Sequence, residues 1–233
     1  MAEENKGKTL WEKFSERFLH NGDGHGNGDG AALTFRNPLD WRIGEAETLA
    51  PSNGAEFLDF TFTVTEIREY VRRLGGREFG FTDYLLRGAR TSGKDEPSGM
   101  LVRVRALPQE NGPHELLLLR LEDEFTFAED FLAVVRDTTG IFELKDDVSG
   151  TVERFTRLND LREPWEAMVL IVSATTAEGR APRSGTVRAK LEYWDYWREV
   201  VLGEGQTATE FLFVEMNGES GWFQIWRGRE FFL

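Results

Sequence analysis

The sequence contains no cysteine among its 233 residues. This absence excludes disulfides, thiolate metal sites and cysteine nucleophiles, and it fits a reducing compartment. No stretch approaches the ~20 apolar residues that a membrane-spanning helix needs. Residues 1–7 are charged and polar, with no apolar run after them. We therefore expect neither a membrane span nor a secretory signal, and we expect the protein to be cytoplasmic.

Basic residues are scarce relative to acidic ones. The chain has 28 Lys and Arg against 41 Asp and Glu, a formal net charge of −13. Phosphate contacts require a basic surface, so nucleic acid is not an expected partner. The same deficit disfavours binding to anionic membranes.

Catalytic motifs are also lacking. The chain has only three histidines, none lies in a triad-like pattern, and nucleophile-elbow, phosphate-loop and dinucleotide fingerprints do not occur. Asp195 is the carboxylate of most interest, because strand alternation places it on an inward face where it needs a partner such as Arg154 or Arg157. A structural ion pair is the favoured interpretation over a catalytic acid. We predict no catalytic residue, metal or cofactor, and an enzyme is the less favoured class.

An amphipathic helix is predicted over residues 9–20, within an N-terminal segment, residues 1–21. Thr9 and Glu12 match a capping box. Twelve residues form a marginal helix in water, so its apolar face must dock on the protein's own domain, on a partner or on a membrane surface. Acids and bases are balanced in this segment, which favours a protein partner over lipid. The predicted partner-binding residues form one stripe: Leu10, Trp11, Phe14 and Phe18.

A glycine-rich linker is predicted over residues 22–30. The alternating acids resemble a calcium loop, but a loop that begins at Asp23 has Thr34 at its twelfth position, where a bidentate Glu is required. The flexible linker is therefore the favoured interpretation. It would let the helix reach away from a single β-rich domain, residues 31–233.

An aromatic meander over residues 184–229 dominates that domain. The alternation in residues 187–198 is typical of a half-buried strand, and Asn217-Gly218 suits a hairpin turn. Aromatic residues occur on both faces of the predicted strands, so either a second layer covers the sheet or one face binds ligands. The residues of such a ligand-binding platform would be Trp194, Tyr196, Trp222 and Trp226.

Residues 63–104 and residues 186–227 have a similar order of strand and turn signals. Both contain an acid–tyrosine pair, a glycine turn and two further strands, which predicts an internal repeat of two three-stranded meanders that cover each other. Residues 67–74 also fit a helix, but the repeat favours a strand.

The remaining segments predict further strands and one internal helix. Thr126 and Glu129 match a second capping box, followed by Phe127, Phe131, Val134 and Val135 on one helix face. The fold class is therefore mostly β or α+β, with antiparallel sheets, one internal helix and the N-terminal helix.

Three functional hypotheses follow. The first is a non-enzymatic protein-interaction or assembly module whose N-terminal helix docks a partner. The second is a carbohydrate- or small-ligand-binding protein, with or without carboxylate-based hydrolysis, that uses the aromatic platform. The third is a homo-oligomer formed through the aromatic sheet face.

Overall fold

The computed structural model describes most of the chain beyond residue 35. The described ranges are 36–49, 51–57, 60–74, 77–90, 100–109, 113–145, 149–158, 164–174, 188–203, 206–218 and 221–231. The predicted helix over residues 9–20 and the predicted linker over residues 22–30 lie outside them.

The described chain is mostly β, as the sequence predicts. Its one α-helix, α1, spans Glu129–Val135, and short 3-10 helices span Pro38–Asp40, Pro51–Asn53 and Ala55–Phe57. The eleven strands are β1 (Ala46–Glu47), β2 (Phe60–Leu74), β3 (Arg77–Arg90), β4 (Met100–Leu107), β5 (Glu115–Thr126), β6 (Ile141–Lys145), β7 (Val152–Arg157), β8 (Trp165–Ala174), β9 (Arg188–Gly203), β10 (Gln206–Asn217) and β11 (Trp222–Glu230).

Eight of these strands form a closed ring. Around the ring the order is β2-β3-β4-β5-β11-β10-β9-β8, and β8 pairs with β2 to close it. Every pairing is antiparallel. Strand β1 pairs with the start of β2, while β7 pairs with β9 and β6 pairs with β7. A closed ring has an interior and an outer surface, and this explains why both faces of its strands carry large side chains.

The choice of strand over helix for residues 67–74 is confirmed. Strand β2 continues through these residues and pairs with β3 on one side and β8 on the other. A register shift between Val64 and Glu66 keeps Ile67 on the same outer face as Val64.

The outer surface of β2–β5 is covered by the segment that precedes β2, which we call the N-terminal strap (residues 36–49 and 51–57). Trp41 of the strap packs edge-on against Tyr84 and Phe231, with ring centroids 6.1 and 6.2 Å apart. The first outer cluster comprises Trp41, Leu49, Phe57, Phe60, Phe62, Val64, Tyr84, Leu86, Val102, Val104, Ala106, Leu116, Leu118 and Phe231.

The outer surface of β9–β11 is covered by α1 and the β6–β7 hairpin. Phe131 of α1 packs against Phe223 at a centroid distance of 4.9 Å. The second outer cluster comprises Val135, Phe142, Phe155, Trp194, Tyr196, Leu212, Val214, Met216, Phe223 and Ile225. The sheet is thus covered by a second layer, as one of the two interpretations of its aromatic faces expects.

The predicted capping box of the internal helix is wrong. Thr126 is the last residue of β5, and the N-cap is Ala128, which makes no side-chain capping bond. The strand pairing between Thr126 and Trp222 extends β5 to this point. Because the helix begins later than predicted, Phe127 precedes it and remains 45% exposed, while Val134 is 47% exposed.

Candidate functional site

Four charged residues meet in the interior of the ring, and we call them the interior charge cluster: Asp83, Arg103, Arg105 and Glu215. They lie on β3, β4 and β10, and all are at least 95% buried. Strand alternation positions the two arginines, because Val102 and Val104, which alternate with them along β4, pack into the first outer cluster. The arginines therefore share the opposite, inward face.

Each arginine contacts both carboxylates. Arg105 donates to the two oxygens of Asp83 at 2.8 and 2.9 Å, and its Nη2 lies 3.1 Å from Glu215 Oε1. Arg103 donates to both oxygens of Glu215, with Nη2 3.0 Å from Oε2, and its Nη1 lies 3.2 Å from Asp83 Oδ2. Two positive and two negative groups therefore neutralise each other by bidentate contacts.

The protonation of Glu215 reflects this arrangement. Burial alone raises the pKa of a carboxyl group, but the positive charges of Arg103 and Arg105 and the hydrogen bond from Arg103 lower the pKa of Glu215 to about 2. The same carboxylates raise the pKa of both arginines against the effect of burial. Glu215 and the two arginines are thus ionised at neutral pH.

Aromatic rings enclose the cluster. The Arg103 Cζ atom lies 3.8 Å from the centroid of the Trp226 ring, and Arg105 Cζ lies 4.3 Å from Phe81 and 4.8 Å from Phe213. Nearby, burial is the main factor that raises the pKa of Tyr70 to about 12. Charges that are mutually satisfied and enclosed in this way suit a structural role better than acid–base chemistry.

A second charge network lies on the outer surface, where β7, β9, β10 and β11 meet. Glu153 accepts from Arg198 at 2.7 Å and from Arg227 at 2.6 Å. Glu210 accepts from Arg198 at 2.6 Å, and Arg227 Nε lies 3.0 Å from its Oε1. The two arginines lie over the Phe155 ring, so this network joins the hairpin to the ring.

A cleft of about 180 Å³ lies beside this network, between the N-terminal strap and the outer surface of β5, β10 and β11. Phe57 and Leu118 supply apolar lining. The other lining residues are Asn53, Glu56, Arg120, Glu210, Arg227, Gly228, Arg229 and Glu230.

The four residues predicted to form an aromatic platform lie in three environments. Trp194 and Tyr196 are 1% and 0% exposed and belong to the second outer cluster. Trp226 is fully buried against Arg103 in the interior, whereas Trp222 is 43% exposed at the start of β11. The structure brings Trp194 and Tyr196 together beneath α1 and the hairpin, but it does not place all four on one exposed surface.

Asp195 is 3% exposed. The alternation on β9 is as expected, but Trp194 and Tyr196 on the other face are equally buried because the ring has a covered outer surface. Arg154 pairs with Glu143 at 2.7 Å, and Arg157 donates to the carbonyl of Val135 at 2.6 Å.

The predicted partner-binding residues Leu10, Trp11, Phe14 and Phe18 lie outside the described residues. Within the described part of the chain, no helix is long and apolar enough to cross a membrane. In the same part, no group of three or more His, Asp or Glu side chains is placed to hold a metal ion.

Several exposed apolar side chains lie on or beside the segment that connects β5 to β8, while others, such as Val201 and Leu202 at the end of β9, lie elsewhere. Ile141 of β6 and Val152 of β7 are 46% and 48% exposed. Phe127 and Val134 belong to the same segment, and Trp222 lies opposite the last residue of β5. Among the described strands, β6 pairs only with β7 and ends the strand order. We call this region, the β6 edge with Phe127, Val134, Ile141, Val152 and Trp222, the apolar edge surface.

In comparisons with known proteins, no family model, no curated protein and no solved structure matches this chain.

Proposed function

We propose that the protein is a non-catalytic protein-interaction or assembly module that docks a partner at the apolar edge surface. The observation that carries the proposal is the edge of β6 that no other described strand pairs with, beside Ile141 and Val152, two β-branched residues about half exposed. An open strand edge offers backbone N–H and C=O groups to an added strand.

The rest of the described domain supports a non-catalytic role. The charges of the interior charge cluster neutralise each other in ion pairs, and the chain itself covers both outer clusters. Alternate residues on β6 suit strand addition, because Phe142 is buried beneath the hairpin while Ile141 and Glu143 face outward.

The N-terminal stripe is the second element of the proposal. Leu10, Trp11, Phe14 and Phe18 would supply an apolar helix face for the groove of a protein partner. A second copy of the chain is one partner that the proposal includes, because an open strand edge pairs readily with the same edge of another copy.

Site-specific photo-crosslinking of the full-length chain tests this function. A benzophenone side chain is placed at Ile141, at Phe14 and, as a control, at the exposed Arg87 of β3, in the source cells. We expect one discrete adduct from the first two positions, identified by mass spectrometry as a partner or a second copy. Val152→Glu should weaken the adduct formed from position 141. Deletion of residues 1–30 should remove that adduct without changing thermal unfolding. Adducts that are absent, or the same from Arg87, would contradict the proposal.

We also propose that the ring contains two related units. Strands β2–β4 and β9–β11 are both antiparallel meanders, which supports the predicted repeat of residues 63–104 and 186–227. The connectivity favours a longer unit with a different correspondence, β2–β5 against β8–β11, in which β3 matches β9 and not β10 as in the predicted repeat. A two-fold axis through the β2–β8 and β5–β11 pairings would exchange these two units.

Two short sequences support this longer unit. Residues 81–84 on β3 read Phe-Thr-Asp-Tyr, and residues 193–196 on β9 read Tyr-Trp-Asp-Tyr. In each, the Asp is buried, and Tyr84 and Tyr196 pack into the first and second outer clusters respectively. An experimental structure in which the two four-stranded units fail to superpose would contradict the relationship.

A further inference from the structure

The cleft beside the N-terminal strap carries an inference that is independent of the apolar edge surface. Its volume of about 180 Å³ is below the ~300–1,000 Å³ of pockets for drug-sized ligands, so it suits a much smaller molecule. One wall is the strap, with Glu56 and Phe57. The other wall is the outer surface of β5 and β11.

The sheet wall is unusually rich in arginine. Arg120 lies directly opposite Arg227 in the pairing of β5 with β11, and Arg229 lies two residues further along. Like charges in opposite positions destabilise a sheet unless they are compensated. Arg120 pairs with Glu122 at 2.9 Å, and Arg227 is held by Glu153 and Glu210.

Arg229 is the exception on this wall. It lines the cleft and is only half-buried, and no ion pair or hydrogen bond of its side chain is recorded within the described part of the chain. An available guanidinium with a second arginine nearby is a suitable binding site for a carboxylate.

The strap wall offers the opposite charge. Glu56 lines the same cleft, and within the described residues its carboxylate likewise has no recorded ion pair. Gly54 makes room for it: its φ is +135°, and a Cβ at this position would collide with the Glu56 carboxylate. Phe57 and Leu118, which are 5% and 4% exposed, supply the apolar lining of the same cleft.

We propose that this cleft binds a small zwitterion, an α-amino acid with an apolar side chain. Its carboxylate would contact Arg229 and Arg120, its ammonium group would contact Glu56, and its side chain would pack on Phe57 and Leu118. Both available charges are then satisfied, and the apolar lining accounts for the choice of side chain.

Titration calorimetry of the full-length protein with three probes tests the proposal. The probes are L-leucine, 4-methylpentanoate, which lacks the ammonium group, and 3-methylbutylamine, which lacks the carboxylate. We expect leucine to bind and each analogue to bind about tenfold or more weakly, since each loses one charge-assisted contact. Glu56→Gln and Arg229→Gln should each weaken leucine binding by a similar factor.

The matched controls are Glu143→Gln and Arg154→Gln, which alter an exposed pair on the β6–β7 hairpin and should leave leucine binding unchanged. Circular dichroism confirms that each variant is folded. Leucine binding that is absent, equal to that of 4-methylpentanoate, or insensitive to both cleft variants would overturn the proposal. None of these outcomes affects the photo-crosslinking test, which probes a different surface.

Discussion

Arg103 of β4 pairs with Glu215 of β10 across the interior of the ring. The two strands are not neighbours, because β5 and β11 lie between them in the strand order. The Arg103 guanidinium also lies against the Trp226 ring of β11, with Cζ 3.8 Å from the ring centroid. This ion pair therefore links the two halves of the closed sheet through its centre, where backbone hydrogen bonds cannot reach.

Glu215→Gln should destabilise the fold strongly. The change leaves Arg103 and Arg105 buried with only Asp83 as a counter-charge, and breaking a buried pair typically costs about 3–5 kcal/mol. Urea unfolding measures the loss. Glu143→Gln is the control, because its pair with Arg154 is exposed and such pairs contribute about 0–1 kcal/mol. Equal effects of the two substitutions would contradict a structural role for the interior charge cluster.

Much of the fold is predictable from local pattern. Period-two alternation gives the strand character of residues 187–198, whereas residues 67–74 also fit a helix and are predicted as a strand only through the suspected repeat. The closure of the ring is not predictable in this way, because it depends on the pairing of β8 with β2, which are about 100 residues apart in sequence. Local pattern also cannot tell an interior face from a covered outer face, since both are buried.

The interior charge cluster illustrates a missed signal. Arg103 and Arg105 alternate with Val102 and Val104, which is the pattern of a strand with one solvated face. Only closure of the sheet turns that charged face inward. The cleft is equally hidden in the sequence, because Glu56 and Arg229 are far apart in the chain and line the same cleft only through the packing of the strap on β5 and β11.

Glu115→Gln should change how stability depends on pH. Burial, followed by repulsion from Glu230, raises the pKa of Glu115 from an ordinary value of 4.5 to about 7. A raised folded-state pKa contributes stability that is fully present below pH 4.5 and is lost as the pH rises through 7. The neutral glutamine avoids this loss, so the stability of the variant relative to the native protein should increase from pH 5 to pH 8.

Urea unfolding at these two pH values measures that difference. Glu199→Gln serves as the matched control, because Glu199 is an exposed glutamate on β9. A Glu115 variant that follows the control would show that this carboxyl is not held protonated in the fold.

Replacement by alanine should cost far more stability at Trp194 than at Trp222. Trp194 is 1% exposed within the second outer cluster, so its removal leaves a cavity and should cost about 3–5 kcal/mol. Trp222 is 43% exposed, so its removal should cost about 1 kcal/mol or less. Thermal unfolding measures both, and acrylamide should quench the fluorescence of Trp222 but not that of Trp194. Comparable costs would contradict the covering of β9 by α1 and the hairpin.

Gly228→Ala should weaken the pairing of β5 with β11. A Cβ at Gly228 would collide with the backbone carbonyl of Leu118 on β5, and a backbone atom cannot move aside as a flexible side chain can. The strands must separate, and overpacking of this kind costs about 1–3 kcal/mol or more. The matched control is Gly218→Ala in the β10–β11 turn, where a Cβ meets no atom within 4 Å. Thermal unfolding should therefore show a lower midpoint for Gly228→Ala than for Gly218→Ala.

Because Gly228 also lines the cleft, the Gly228→Ala variant, where folded, should bind L-leucine more weakly than the native protein does. A stable variant with an unchanged midpoint would mean that β5 and β11 are further apart at this position than the structure places them.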